Sequence, residues 1–159
     1  MKHLFLISLL VFTFITSFAS YGKVAPVPSS IDFQNYCNNT GTMSNKIRIK
    51  IGSSSFTAIL LDNITSTAFK ALLPMTINMT GLNGNEKYFN LSGNLPANAS
   101  NPSTIKTGDL MIYGANTLVL FYKTFSTSYS YTKLGRIENA TGLAAAIGNG
   151  NVTVTFEVQ

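Results

Sequence analysis

The sequence predicts a mainly β protein, and three observations carry that reading. The run Lys46-Ile47-Arg48-Ile49-Lys50-Ile51 alternates apolar and cationic residues without a break, and Val152 to Val158 alternates in the same way. A side-chain period of two is the mark of a strand with one face buried. Turn signals such as Asn83-Gly84 recur between runs rich in β-branched and aromatic residues, most densely from Gly108 to Ile137. Short strands with regular turns favour a barrel or a sandwich, and closing the sheet removes exposed edges.

Taken in order, the chain begins with a short positive region, Met1-Lys2-His3, and an apolar run from Leu4 to Ile15. Small residues around Ala19 follow, which is the pattern of a secretory signal peptide over residues 1–19. The run falls short of the roughly 18 to 20 residues that a spanning helix needs. Export, to a secreted or periplasmic location, is the expectation. Residues 20–45 carry Pro26, Pro28, Gly41 and many Ser and Asn, hold no period, and read as a linker or N-terminal arm. Cys37, the single cysteine, cannot form an intramolecular disulfide and is read as idle.

Residues 46–159 are read as one domain. Lys46–Ile51 and Ser55–Leu61 form a hairpin around Gly52. Thr65 or Ser66 caps a short helix that runs to about Leu73, before Pro74, with Ala68, Phe69, Leu72 and Leu73 on one face. Met75–Leu82 and Glu86–Leu91 are strands joined at Asn83-Gly84. Residues 93–107 have no period and read as a long loop, a length that is uncommon without a function or local packing. Leu110–Tyr113, the nearly continuous apolar run Thr117–Tyr122 and Leu134–Ile137 are strands. The Ala-rich segment Thr141–Ile147 is a short helix stopped by Gly148, and Val152–Val158 is the last strand. That makes about eight strands and two short helices, with no repeat.

Composition bounds the function. Apolar residues are 45% and charged residues 11%, so Ser, Thr and Asn must keep the surface wet. The net charge is +5, but the cations are scattered from Lys23 to Arg136 with no block, which argues against nucleic acid as a partner. The only histidine, His3, lies in the leader, so a Ser-His-Asp triad, a Cys-His pair and a His/Cys zinc site are excluded. No phosphate loop or dinucleotide fingerprint is present. Neither cofactor nor metal is expected. Asn-x-Ser/Thr triplets such as those at Asn78 and Asn151 fall on or beside strands and read as accidents of composition.

Several fragments, in this order, resemble the small bacterial cyclophilin-like domain family: Asp62-Asn63, Ala68-Phe69, Leu72-Leu73-Pro74, Gly84-Asn85-Glu86-Lys87-Tyr88, Gly108-Asp109-Leu110, Tyr122-Lys123 and Leu134-Gly135-Arg136-Ile137. The resemblance covers nearly all of residues 46–158. It implies a closed eight-stranded β-barrel with a short capping helix at each end. Gly-Asp opening a strand and a late Gly-Arg-Ile also occur in true cyclophilins. The isomerase pocket of those enzymes uses an arginine, a Phe-Met-Gln segment, a Trp and a His. This chain has no Trp, no mature His and no Phe-Met-Gln, so those residues do not carry over.

What remains is an aromatic site. Prolyl isomerisation needs no nucleophile: its barrier of about 18–20 kcal/mol comes from amide resonance and falls when a pocket and a donor bind the twisted amide. Arg136 is the candidate donor, and Tyr113, Phe121, Tyr122, Phe125 and Tyr129 are the candidate ligand-binding residues around it. The favoured reading is a non-catalytic module that binds an extended peptide or a small molecule, as a monomer free of the membrane once the leader is gone. The alternative is a divergent peptidyl-prolyl cis-trans isomerase working through Arg136. Core packing for the aromatics and an ion pair for Arg136, with Glu138 two residues on, stand against both. Asp62 and Asp109 read as turn and cap residues.

Overall fold

The computed structural model describes residues 44–159. The expected signal peptide, nearly all of the expected arm, and Cys37 lie outside the described residues. The chain enters on β1 (Lys46–Ile51) and returns on β2 (Ser54–Leu60). The alternation read from β1 is seen directly: Ile47, Ile49 and Ile51 are buried, while Lys46, Arg48 and Lys50 are exposed. The outer cations meet acids on the surface, with Lys50 Nζ 2.9 Å from Glu157 Oε1 and Lys46 Nζ 3.4 Å from Glu138 Oε1. Exposed pairs of this kind contribute little to stability.

Helix α1 (Ile64–Lys70) follows, and its cap differs from the expectation. Asn63 is the N-cap, its Oδ1 accepting from the Ser66 backbone N–H at 2.8 Å. The two residues expected to cap are instead buried and bonded across the fold. Thr65 Oγ1 donates to the Pro96 carbonyl at 2.7 Å and Ser66 Oγ to that of Leu134 at 2.8 Å. The helix stops at Lys70, short of Leu73, and Leu72 is left 45% exposed. Phe69 is its anchor, fully buried and edge-on to Phe156 with ring centroids 5.8 Å apart.

Strands β3 (Met75–Leu82) and β4 (Glu86–Asn90) form the expected hairpin. Leu82 pairs with Glu86, so three residues connect the strands, and Asn83 and Gly84 both take positive φ, 54° and 65°, a conformation that Asn and Gly tolerate best. Residues 93–107 are not a plain loop. They contain β5 (Thr104–Ile105), which pairs with β8 (Phe125–Ser126) as a separate two-stranded sheet, and Ser100 bridges to Tyr131. Two-residue strands are too short to show a period in sequence. Strands β6 (Asp109–Tyr113), β7 (Thr117–Phe121) and β9 (Thr132–Ile137), helix α2 (Leu143–Ile147) and β10 (Val152–Val158) complete the chain.

The main sheet closes. Its order is β1-β10-β3-β4-β7-β6-β9-β2, returning to β1, and every pairing is antiparallel. The interior is apolar, and Phe69 from α1 and Leu143 and Ile147 from α2 belong to the same cluster. A second, smaller cluster lies outside the barrel wall. Ile105, Met111, Val119, Phe121 and Tyr131 make it, with Tyr88 and Phe125 packed against them. Strands β6 and β7 are therefore buried on both sides. Leu110, Ile112, Leu118 and Leu120 face the barrel interior, whereas Met111, Val119 and Phe121 face the outer cluster. This explains the continuous apolar run of Thr117–Tyr122.

Closure depends on one close approach. Gly135 on β9 lies opposite Leu60 on β2 and Leu110 on β6. A Cβ at Gly135 would collide with the backbone carbonyl oxygen of Ile59, which cannot swing away as a side chain can. Gly135→Ala is therefore expected to destabilise the domain by about 3 kcal/mol or more, as overpacking against backbone does. Gly93→Ala, where a Cβ meets nothing, is the control and shifts stability by less than about 1 kcal/mol. Urea unfolding of the two variants checks this, and a near-neutral Gly135→Ala contradicts it.

Candidate functional site

Between the outer face of β4 and β7 and the small β5–β8 sheet lies a groove of about 490 Å³. The outer cluster explains why it exists. Phe121 and Tyr131 meet edge to face at 5.5 Å, and Phe125 stacks against Phe121 at 5.8 Å, so the small sheet is seated on one side of the wall and overhangs the rest. Tyr113 continues the aromatic chain, 5.6 Å from Tyr131 and 6.2 Å from Tyr129. Tyr113 and Tyr129 are 47% and 62% exposed, and both line the groove. Rings that are held at the base and open at the edge make a rigid binding wall.

The aromatic residues singled out from sequence divide accordingly. Tyr113, Phe125 and Tyr129 line the groove. Phe121 is wholly buried beneath it and supports the floor. Tyr122 belongs to the barrel interior, where the Lys87 ammonium sits 5.7 Å from its ring. Arg136 is not part of the lining. It lies opposite Asp109 on β6, and its Nε donates to Asp109 Oδ1 at 2.6 Å. The carboxylate that meets Arg136 is thus Asp109, while Glu138 goes to Lys46. Asp109 is fully buried, and its Oδ2 also accepts from the Lys106 backbone N–H at 2.8 Å, which is the turn role expected of it.

Sequence reasoning missed Glu86, Asn85, Tyr88 and Tyr131 as lining residues. Period two along β4 was the available signal: Glu86 and Tyr88 share the outer face, opposite Phe121 and Val119 of β7. Glu86 is only 8% exposed, and among the described residues no hydrogen bond or ion pair holds its carboxylate. Burial pushes its pKa above the ordinary 4.5. Burial also raises the Tyr131 phenol, and the nearby Glu86 charge adds to that rise. Asn85 Oδ1 is buried without a partner. Lys87 points the other way, its Nζ donating to the Gly150 carbonyl.

The sign of the Glu86 effect follows from linkage. The folded carboxyl holds its proton at a pH where the unfolded one has already lost it. Stability therefore falls as pH rises from 4.5 through the raised folded value, and the penalty persists above it. Glu86→Gln removes the penalty. It should leave stability close to wild type at about pH 3.5 and exceed wild type at about pH 7.5. Denaturant midpoints at the two pH values check this. Equal midpoints at the higher pH would mean that the carboxylate carries no burial cost.

A family model described as the cyclophilin-like family matches residues 49–157. The solution structure of a hypothetical protein from Archaeoglobus fulgidus is similar with a TM-score of 0.51 and 18% identity, covering 74% of this chain and 96% of that one. At that identity the likeness is one of fold. No curated protein matches the chain.

Proposed function

The chain belongs to the cyclophilin-like family, and from that premise we propose that it is an exported module that binds an extended peptide or a small molecule in the groove outside its barrel, without catalysing a reaction. The observation that supports the reading is the groove itself, about 490 Å³ of concavity with tyrosines at its rim. Ligand sites are concave and largely apolar, with a few polar groups that set orientation, and volumes of about 300–1,000 Å³ are usual. Tyr113 and Tyr129 are exposed aromatic surface, of the kind that gives contact area at low entropic cost. Export rests on the order of cationic, apolar and small residues in Met1–Ala19.

The isomerase reading depends on Arg136, and its guanidinium is engaged with Asp109 away from the groove. A donor held there does not reach a prolyl amide bound among the tyrosines. We therefore favour binding over catalysis.

Two measurements test the proposal. Titrating isotope-labelled protein with short extended peptides should shift backbone resonances around Tyr88, Tyr113 and Tyr129. Tyr113→Ala should weaken binding by roughly tenfold, as removal of an aromatic anchor does, while Arg136→Lys, which keeps a cation beside the buried Asp109, should leave affinity unchanged. In a coupled assay on Xaa-Pro peptides the protein should give no acceleration. Acceleration that disappears in Arg136→Lys with the fold intact would replace the binding module with an isomerase.

A further inference from the structure

Nothing in the fold requires an unpartnered acid at the base of an aromatic groove. Glu86 is the sole charged side chain among the lining residues, in a chain whose net charge is +5. The other acids of the described domain that form ion pairs, Asp109, Glu138 and Glu157, meet their cations on the barrel surface or its wall. Glu86 meets none. The adjacent cation, Lys87, is turned into the barrel and held by the Gly150 carbonyl. Asn85 Oδ1, one residue away and also in the lining, is a second acceptor without a donor. A buried charge is costly unless it is paired, and a buried acceptor is costly unless it is bonded.

We propose that the groove takes a positively charged nitrogen carried on an apolar stem, with Glu86 as its counter-ion and Tyr88, Tyr113 and Tyr129 as the walls around the stem. This rests on the groove-binding reading above and adds the charge of the ligand. Three features converge on that chemistry. An ammonium or guanidinium brings positive charge and several N–H donors to a groove whose one charged lining residue, Glu86, has no ion-pair partner among the described residues. Tyrosine faces attract cations and pack against methylene or aryl stems. The long-range field of a basic protein repels cations, so a lone carboxylate in the cavity gives local selection where the net charge gives none. An arginine or lysine side chain in an extended peptide and a free aryl or alkyl amine share this chemistry.

The test uses matched probes on the whole exported domain. Two capped pentapeptides differ only at the centre, arginine in one and the neutral isostere citrulline in the other; a third carries aspartate. Benzylamine and benzyl alcohol form the small-molecule pair. Affinity is read by calorimetry and by tyrosine fluorescence, and the site by resonance shifts. The cationic member of at least one pair is expected to bind roughly tenfold or more tightly than its neutral partner, with the aspartate peptide weakest. Glu86→Gln is expected to erase that preference, and Tyr129→Ala to weaken the cation with the fold intact. Which pair shows the preference distinguishes a peptide side chain from a free amine. If charged and neutral probes bind alike while shifts still map to the groove, the counter-ion role is overturned and the binding reading stands. If no probe binds even at millimolar concentration, both fall. The wild-type order of cation, neutral and anion decides the matter even where Glu86→Gln fails to fold.

Discussion

A full interior is the constraint on which the rest of this structure depends. Eight strands close into a cylinder only wide enough for their own side chains. Here those positions are taken by Ile47, Ile49, Leu110, Leu118, Leu120, Val154 and Phe156, all essentially inaccessible to water. The aromatic groove lies on the outer wall, where an antiparallel sheet by itself is nearly flat. The chain makes relief there with two excursions, one before β6 and one after β7, whose short strands β5 and β8 pair with each other. Ile105 and Phe125 then pack against the outward faces of Met111, Val119 and Phe121. The groove is the space left where this second layer does not reach.

The same constraint explains the two fragments that carried the family resemblance most visibly. Gly108-Asp109-Leu110 and Leu134-Gly135-Arg136-Ile137 lie far apart in sequence but face each other across β6 and β9. Leu110 is opposite Gly135, and Asp109 is opposite Arg136. Gly135 lets β2 approach, and the carboxylate of Asp109 ties Arg136 to the turn at Lys106 that leads from β5. Gly108 takes a positive φ of 88°, and its N–H donates to Phe121, locking the start of β6 to the end of β7. These residues form one structural joint where the barrel seam meets the outer layer. The Arg136 guanidinium is tied into that joint through its Nε and the Asp109 carboxylate.

What was legible in the sequence follows from length and period. β1 and β10 each show unbroken alternation over a full strand, so their faces were readable. Asn83-Gly84 named its own turn because positive φ admits few residues. The N-cap was misplaced because Asn63, Thr65 and Ser66 all have capping chemistry, and only tertiary contacts decide between them. Thr65 and Ser66 are drawn to the carbonyls of Pro96 and Leu134, leaving Asn63 for the cap. β5 and β8 were invisible because a pair of residues has no period. Tyr122 was grouped with the aromatics expected around Arg136, yet one residue past the end of β7 it packs into the main core cluster.

Glu86 and Lys87 bring these strands of reasoning together. They are adjacent, opposite in charge and both buried. On β4 they point to opposite sides of one wall. Lys87 faces inward, where burial lowers its pKa, and the barrel answers it with the Gly150 carbonyl and the Tyr122 ring. Glu86 faces outward, where burial raises its pKa, and nothing among the described residues answers it. The fold can satisfy a buried ion when that ion serves the fold, as Lys87 demonstrates a single residue away. Of these two neighbours, the ion left without a partner among the described residues is the one that lines the groove.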